Sequence, residues 1–380
     1  ITWMRGNALT LLENGGEFFP ALQAAIDAAE AEIFLETYIF ANDETGHGIA
    51  AALRRAAGRG VTVRLMVDGF GGRDFVAGLM DELTAGGVNV LIYRREVTTL
   101  SLRRHRLRRL HRKLAVIDGR VAFVGGINIT SDFDDPALTA PRQDYSVRVT
   151  GPLLGPIHGS VTRVWELVSW ASFRKRRRLP ASPPVFTKPC GDVDAAFLIR
   201  DNLRHRRDIE DAYLLAFATA RREIVLANAY FLPGRRFRQA LLSAAKRGVR
   251  VTLLTQGWTD HPLQQRATRA LYGQFLAGGV RIFEYHRSHL HAKVAVVDDI
   301  WATVGSSNID PFSLLLAREA NLVVRDARFA EDLHRRLDQA MADGGREISA
   351  NGRERSSRLQ RVLNWAAYGL VRVLIGIAGY

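Results

Sequence analysis

The chain has almost no cysteine. Cys190 alone cannot close an intrachain disulfide, and without a cysteine cluster there is no thiolate zinc site, so nothing in the 380 residues asks for an oxidising compartment. A cytosol-facing location is expected. No secretory leader is read at the start, where Ile1 opens the chain without a charged segment, an apolar core and a small-residue cleavage site. Long apolar runs are scarce too. The longest, 362–380, is broken by Asn364 and Arg372; a span takes roughly 20 apolar residues, and a central Arg costs about 2.5–3.5 kcal/mol on insertion scales. An interfacial helix is expected there. Acidic residues are outnumbered, 39 Asp and Glu against 53 Lys and Arg, for a formal charge of +14. Such a surface attracts polyanions, either nucleic acid or an anionic membrane, and charge alone does not choose between them.

What is present is enough apolar material, 47% of residues, to bury a large core in two domains or two packed halves. The sequence also repeats itself. Glu32-Ile33-Phe34-Leu35 returns as Glu223-Ile224-Val225-Leu226, Arg59-Gly60-Val61 as Arg247-Gly248-Val249, and Ala85-Gly86-Gly87-Val88 as Ala277-Gly278-Gly279-Val280. In each copy a β-branched run (61–67, 249–254) follows an alanine-rich helical stretch (49–57, 237–245), with Gly60 and Gly248 where a helix C-terminal glycine belongs. The expected fold is α/β, two homologous sandwich halves. Boundaries are expected at 1–173 and 193–345 for the halves. Between them lies a basic, proline-rich linker, 174–192, read as a solvated connector, and after them an amphipathic tail, 346–380.

One repeated block carries chemistry. His111, Lys113, Asp118, Gly125 and Asn128 recur with identical spacing as His291, Lys293, Asp298, Gly305 and Asn308. A single His-x-Lys on a strand is a common accident, whereas two copies sharing a glycine, an asparagine and a following acidic residue are not. Strand alternation puts each histidine and lysine on one face. With Asp118-Gly119 as a two-residue turn, Ile117 pairs with Arg120 and His111 falls opposite Gly126; the same count puts His291 opposite Ser306. Asn128 and Asn308 then emerge beside the histidines. Two imidazoles can supply a nucleophile and an acid for phosphodiester chemistry. Lys113, Lys293, Asn128 and Asn308 offer charge and amide donors to phosphate oxygens, with Ser306 adding a hydroxyl. No metal or other cofactor is needed. Asp118 and Asp298, part of the same cassettes, are expected to fix the hairpins without touching substrate. Each histidine needs an acceptor for its other ring nitrogen, and the acidic residue following each cassette is the candidate: Asp144 for His111 and Glu319 for His291.

These cassettes resemble the signature of the phospholipase D superfamily, His-x-Lys, four residues, Asp, six residues, Gly, two residues, Asn, and both copies fit it throughout. Further segments resemble bacterial cardiolipin synthases, among them Glu36-Thr37-Tyr38-Ile39-Phe40, Gln143-Asp144-Tyr145, Tyr230-Phe231-Leu232-Pro233 and Val304 to Pro311. The resemblance implies a pseudo-twofold molecule with one site between the halves. It implies that one histidine, assigned as His111, forms a phosphohistidine while His291 serves as acid and then base. A phosphatidyl group would pass to phosphatidylglycerol, from a donor that is itself phosphatidylglycerol or phosphatidylethanolamine. A lipid hydrolase on the same machinery is the second reading, and a nuclease, poorly served by the apolar tail, the third.

The halves differ beside the site. A basic loop with Arg103, Arg104, Arg106, Arg108 and Arg109 precedes only the first cassette, either as a solvated loop or as a grip on anionic headgroups. In the tail, Leu359, Val362, Leu363, Ala366, Leu370 and Val373 share one helical face and Arg355, Arg358, Arg361, Asn364 and Arg372 another, with Trp365 and Tyr368 suited to an interface. Binding to the cytoplasmic surface of the cell membrane is expected, peripherally or through that tail. Oligomeric state is left open.

Overall fold

Alternating apolar runs and alanine-rich helices become two α/β halves in the computed structural model, which describes residues 1–94, 108–133, 140–172, 182–258, 261–349 and 358–377. The first half contributes β1 (Met4–Glu13), β2 (Glu32–Thr37), β3 (Thr62–Asp68), β4 (Asn89–Tyr93), β5 (Lys113–Ile117), β6 (Val121–Gly125) and β7 (Tyr145–Thr150). The second repeats them as β8 (Val193–Arg200), β9 (Glu223–Asn228), β10 (Arg250–Gln256), β11 (Arg281–Tyr285), β12 (Lys293–Val297), β13 (Trp301–Gly305) and β14 (Glu319–Arg325), then adds β15 (Gly345–Glu347). Pairing of β15 with β11 carries the sheet past the boundary expected at residue 345.

Among the described residues the strands form one continuous sheet, β15-β11-β10-β9-β12-β13-β14-β8-β1-β7-β6-β5-β2-β3-β4. Outward from the β1/β8 junction the order is the same in both directions, which is the pseudo-twofold arrangement. Within each half β2, β3 and β4, or β9, β10 and β11, run parallel, whereas β5 and β12 run against them. The segments entering β5 and β12, which carry His111 and His291, therefore lie at the C-terminal ends of the parallel strands. That is where α/β sheets collect functional groups.

A shared core joins the halves. Leu114, Val116, Val124 and Val147 are buried with Val294, Val296, Val304 and Leu322, under the helices Leu154–Ala171 and Ala327–Gly344. Each half keeps a second core on its outer face, around Leu22, Leu53 and Leu65 in one and Phe217, Phe237 and Phe275 in the other. Strands buried on both faces need no polar alternation, which is why β5 reads Leu114-Ala115-Val116-Ile117 without a break. Gly60 and Gly248 both stand at φ +91°, one residue past a helix C-cap, a conformation that would strain a side chain.

The cassette hairpins differ from the expected register by one residue. Asp118 and Gly119, like Asp298 and Asp299, are left-handed, and Arg120 N–H closes the turn on Ile117 O at 2.9 Å. Arg120 then stays out of the ladder as a bulge, so Ile117 pairs with Val121 and Val297 with Trp301. Since β5 begins only at Lys113, His111 does not pair with Gly126, nor His291 with Ser306.

The tail helix, Arg358–Ile377, docks on the helix Pro262–Ala277 through buried Ala367 and Val371, with Tyr368 packed alongside. Leu359, Val362, Leu363, Trp365, Leu370 and Val373 remain exposed, so one face is docked on the protein and the expected apolar face is left open. Among the described residues no helix is long and apolar enough to cross a membrane. Arg103, Arg104, Arg106, the run 174–178 and Arg355 lie outside the described residues.

Candidate active site

Each histidine is built into place by the opposite half. Leu110 bridges Arg318 in parallel, with His111 N–H donating to Arg318 O at 3.0 Å and Arg318 N–H to Arg109 O at 2.8 Å. Across the dyad, Gln143 bridges Leu290, and His291 N–H donates to Gln143 O at 2.8 Å. Arg318 and Gln143 immediately precede Glu319 and Asp144. His111 Nδ1 consequently lies 3.0 and 3.1 Å from the two oxygens of Glu319, and His291 Nδ1 lies 2.5 Å from Asp144. This reverses the expected pairing. Both carboxylates do orient an imidazole, but each serves the histidine of the other cassette, because the backbone stitches run across the dyad and not within a half. With Nδ1 engaged, Nε2 is the ring nitrogen left for chemistry.

Lys113 and Lys293 are buried in the same cluster, each donating from Nζ to the carbonyl of its own cassette histidine, at 2.7 Å for Lys113. Lys293 Nζ is also 4.0 Å from Asp144. Burial pushes Lys113 down to about 7, with Lys293 adding repulsion against the pull of Glu319. Lys293 is pushed down to about 8 for the same first reason. Asp144 is pushed up to about 6 by burial, and both imidazoles are held below their ordinary value, chiefly by desolvation. An anion placed between the lysines would favour their charged forms. The cluster is therefore electrostatically suited to a phosphodiester.

The remaining cassette residues divide. Asn128 is buried, and its Oδ1 accepts from Ile39 N–H at 3.1 Å. Asn308 is buried as well, but its Oδ1 has no partner among the described residues; Ile309 N–H donates to Asn228 Oδ1, at 3.1 Å. Ser306, expected to add a hydroxyl for phosphate, has that hydroxyl engaged within the protein. It donates to Glu319 Oε2 at 2.5 Å and accepts from Ala320 N–H at 3.0 Å, so its role here is to hold a carboxylate. At the matching position, a Cβ on Gly126 would come within 2.3 Å of Asp144 Oδ1. Glycine with a short aspartate and serine with a longer glutamate are two solutions to one packing problem.

Asp118 and Asp298 stand apart from the histidines. Along the strand the separation is roughly 20 Å, and Asp118 accepts from the amides of Glu30, Ala31 and Glu32, each at 2.8 Å. Asp298 does the same for Arg221, Arg222 and Glu223 at 2.8, 2.7 and 2.9 Å. Both tie the hairpin turn to the strand entering beside it.

Three residues escaped the sequence reading. The Tyr38 ring lies edge-on to His111, centroids 5.0 Å apart, with Lys113 Nζ 5.6 Å from its centre. Asp68 Oδ2 accepts from Leu110 N–H at 2.8 Å, and Gln256 Oε1 accepts from Leu290 N–H at 2.6 Å. These two occupy equivalent strand ends, but their differing identities hide the equivalence from a search for repeats. Of the basic loop, Arg108 and Arg109 are described, and the Arg109 guanidinium lies 5.0 Å from the Phe70 ring centre. Arg372 and Trp365 flank Tyr368 on the tail and do not join the histidine cluster. Among the described residues no group of three or more His, Cys, Asp or Glu could hold a metal ion.

Residues 22–133 and 213–341 match the family described as "Cardiolipin synthase, PLD-like domain". The chain is 42% identical over 346 residues to cardiolipin synthase B of Salmonella typhi, covering 91% of this chain and 83% of that protein. To cardiolipin synthase B of Escherichia coli K12 it is 41% identical over 350 residues, covering 90% and 82%. Similarity to cardiolipin synthase A of Pseudomonas putida is 29% over 361 residues, covering 94% and 73%. Among solved structures, phosphatidylserine synthase of Haemophilus influenzae superposes with a TM-score of 0.65 at 14% identity, covering 96% of this chain and 93% of that one, a likeness of fold.

Proposed function

We propose that this chain, which belongs to the cardiolipin synthase family of phospholipase D-like proteins, is a phosphatidyltransferase that makes cardiolipin by passing a phosphatidyl group onto phosphatidylglycerol. The observation that carries the mechanism is the crossed pair of imidazoles, each oriented by a carboxylate of the other half, around two buried lysines. Nε2 of one histidine, assigned as His111 on the resemblance, attacks phosphorus. The bond to the leaving alkoxide breaks, and the other imidazolium gives that oxygen its proton. The neutral imidazole so formed takes a proton from the headgroup hydroxyl of phosphatidylglycerol, which displaces the histidine and restores the enzyme. Lys113, Lys293, Asn128 and Asn308 hold the phosphoryl oxygens, and Glu319 and Asp144 fix the tautomers. One phosphodiester replaces another, so no nucleotide energy source enters.

In this reading 1–173 and 193–345 each supply one cassette, and 174–192 links them. Seating is peripheral, on the cytoplasmic face of the cell membrane. The exposed apolar face of the tail, with Trp365 and Arg372, supports it, as does the net charge. Incubating the purified chain with phosphatidylglycerol vesicles in chelator-containing buffer tests the whole proposal. Cardiolipin and glycerol are the expected products. Phosphatidic acid as the dominant product would replace transferase by hydrolase, and DNA cleavage without lipid turnover would overturn the lipid reading.

A further inference from the structure

Phe70 and Trp258 occupy equivalent places in the two halves. Each stands two residues beyond the strand-end side chain, Asp68 or Gln256, that holds the backbone leading into a cassette histidine. Each ring is exposed, 41% for Phe70 and 49% for Trp258, although large aromatics are ordinarily well buried. Both are tied down by hydrogen bonds. Phe70 N–H donates to Asp68 Oδ1 at 2.8 Å, and a Cβ on neighbouring Gly71 would come within 2.5 Å of Tyr38 O, so this turn packs on the residue that edges His111. Trp258 Nε1–H donates to His286 O, and Gly257 O accepts from Gln265 Nε2–H at 2.7 Å.

Because β3 and β10 end where the segments entering β5 and β12 begin, both rings stand at the histidine end of the sheet, one on each side of the dyad. The guanidinium carbons of Arg73 and Arg109 lie 4.4 and 5.0 Å from the Phe70 ring centre, which places cationic groups beside the exposed aromatic surface. An aromatic ring with an adjacent arginine suits the boundary between acyl chains and anionic headgroups.

We propose that Phe70 and Trp258 are a paired foothold by which the mouth of the site seats on an anionic phospholipid surface, with Arg73 and Arg109 meeting headgroup phosphates. One ring on each side would hold the dyad upright over the bilayer and present both histidines to the same leaflet. Among the described residues the tail helix packs on a helix of the second half, so it does not by itself support both sides of the dyad. The proposal rests on the reading of the site as one that handles phospholipid.

Flotation of the full chain with phosphatidylcholine vesicles containing phosphatidylglycerol tests it. Phe70→Ala and Trp258→Ala should each weaken partitioning by roughly tenfold, the effect of withdrawing one large apolar side chain from an apolar phase, and the double variant should lose more. Ile300→Ala, an exposed apolar residue at the opposite end of the sheet, should bind like the parent. A double variant that melts and floats like the parent would overturn the proposal. Should the alanine variants melt early, bromine-labelled acyl chains give a second readout. They should quench tryptophan emission of the parent and quench Trp258→Phe less; equal quenching in the two overturns the foothold. A parent that binds through these rings yet leaves phosphatidylglycerol unconverted supports the surface and sinks the transferase reading. Cardiolipin made by a double variant that binds normally does the reverse.

Discussion

Glu319→Gln should behave like the loss of His111, although residue 319 lies in the same half as His291. The Glu319 carboxylate is fully buried and accepts two donors, His111 Nδ1–H and Ser306 Oγ–H. A glutamine there offers one oxygen and one NH2, so only one of those donors keeps an acceptor. If the amide oxygen stays with Ser306, the NH2 faces His111 and forces its proton from Nδ1 to Nε2, the atom needed for chemistry. A charge-assisted hydrogen bond of this kind contributes about 1.5–3 kcal/mol, which corresponds to roughly 10- to 150-fold in rate. The assay is rapid-quench detection of acid-labile phosphoenzyme alongside cardiolipin formation, with His111→Ala and His291→Ala as references. Glu319→Gln should share the pattern of His111→Ala, and Asp144→Asn that of His291→Ala. The opposite assignment, each carboxylate variant matching the histidine of its own half, would refute the crossed geometry.

Gly126→Ala should cost activity without grossly unfolding the chain, because the new methyl meets Asp144 at 2.3 Å and must displace the carboxylate from His291. Kinetics at matched melting temperature check it. The pH profile of kcat/KM should be bell-shaped. Asp144 must be ionised to accept from His291, so activity rises through about 6; Lys113 and Lys293 must be protonated, so it falls above about 7–8. In kcat the alkaline limb should move up, since bound phosphate favours charged lysine, and identical limbs in the two profiles would count against the lysines as phosphate ligands. Asp118→Ala leaves three amides without their acceptor and should lower stability by about 1–3 kcal/mol in denaturant melts. The folded fraction should retain near-parental kcat, in contrast to Lys113→Ala.

Much of this was legible because the chain states it twice. Repetition of His111-x-Lys113 and Gly60 in matching contexts exposes the halves, the helix ends and the cassettes, all of which depend on local spacing. The crossed carboxylates were not legible. Asp144 and Glu319 are near their own cassettes in sequence, and only the backbone stitches at Arg318 and Gln143 carry them across the dyad. The register was missed for a smaller reason: Asp118-Gly119 signals a tight turn correctly but does not announce the bulge at Arg120. Ser306 reads as a phosphate ligand because it sits beside Asn308 in the cassette, yet its hydroxyl is claimed by Glu319, a partner thirteen residues on. Asp68 and Gln256 do equivalent work with different side chains, which sequence comparison discards.

Departures from symmetry bear on which imidazole attacks. His291 is held well below its ordinary value, first by burial and then by Lys293, Arg142 and Lys113, whereas desolvation of His111 is opposed by Glu319. A nucleophile must be neutral and a general acid protonated. That imbalance alone would make His291 the attacker, but the Asp144 carboxylate 2.5 Å from its Nδ1 opposes it, so the assignment of His111 as nucleophile rests on the resemblance and is open to a direct test. Single-turnover trapping with each alanine variant decides the matter. If His291→Ala abolishes phosphoenzyme while His111→Ala still forms it slowly from a substrate with a good leaving group, which needs little acid assistance, the electrostatic ordering stands. Phosphoenzyme formed by His291→Ala and absent from His111→Ala would return the nucleophile to the first cassette, and would mean that geometry outweighs the charge imbalance around the two rings.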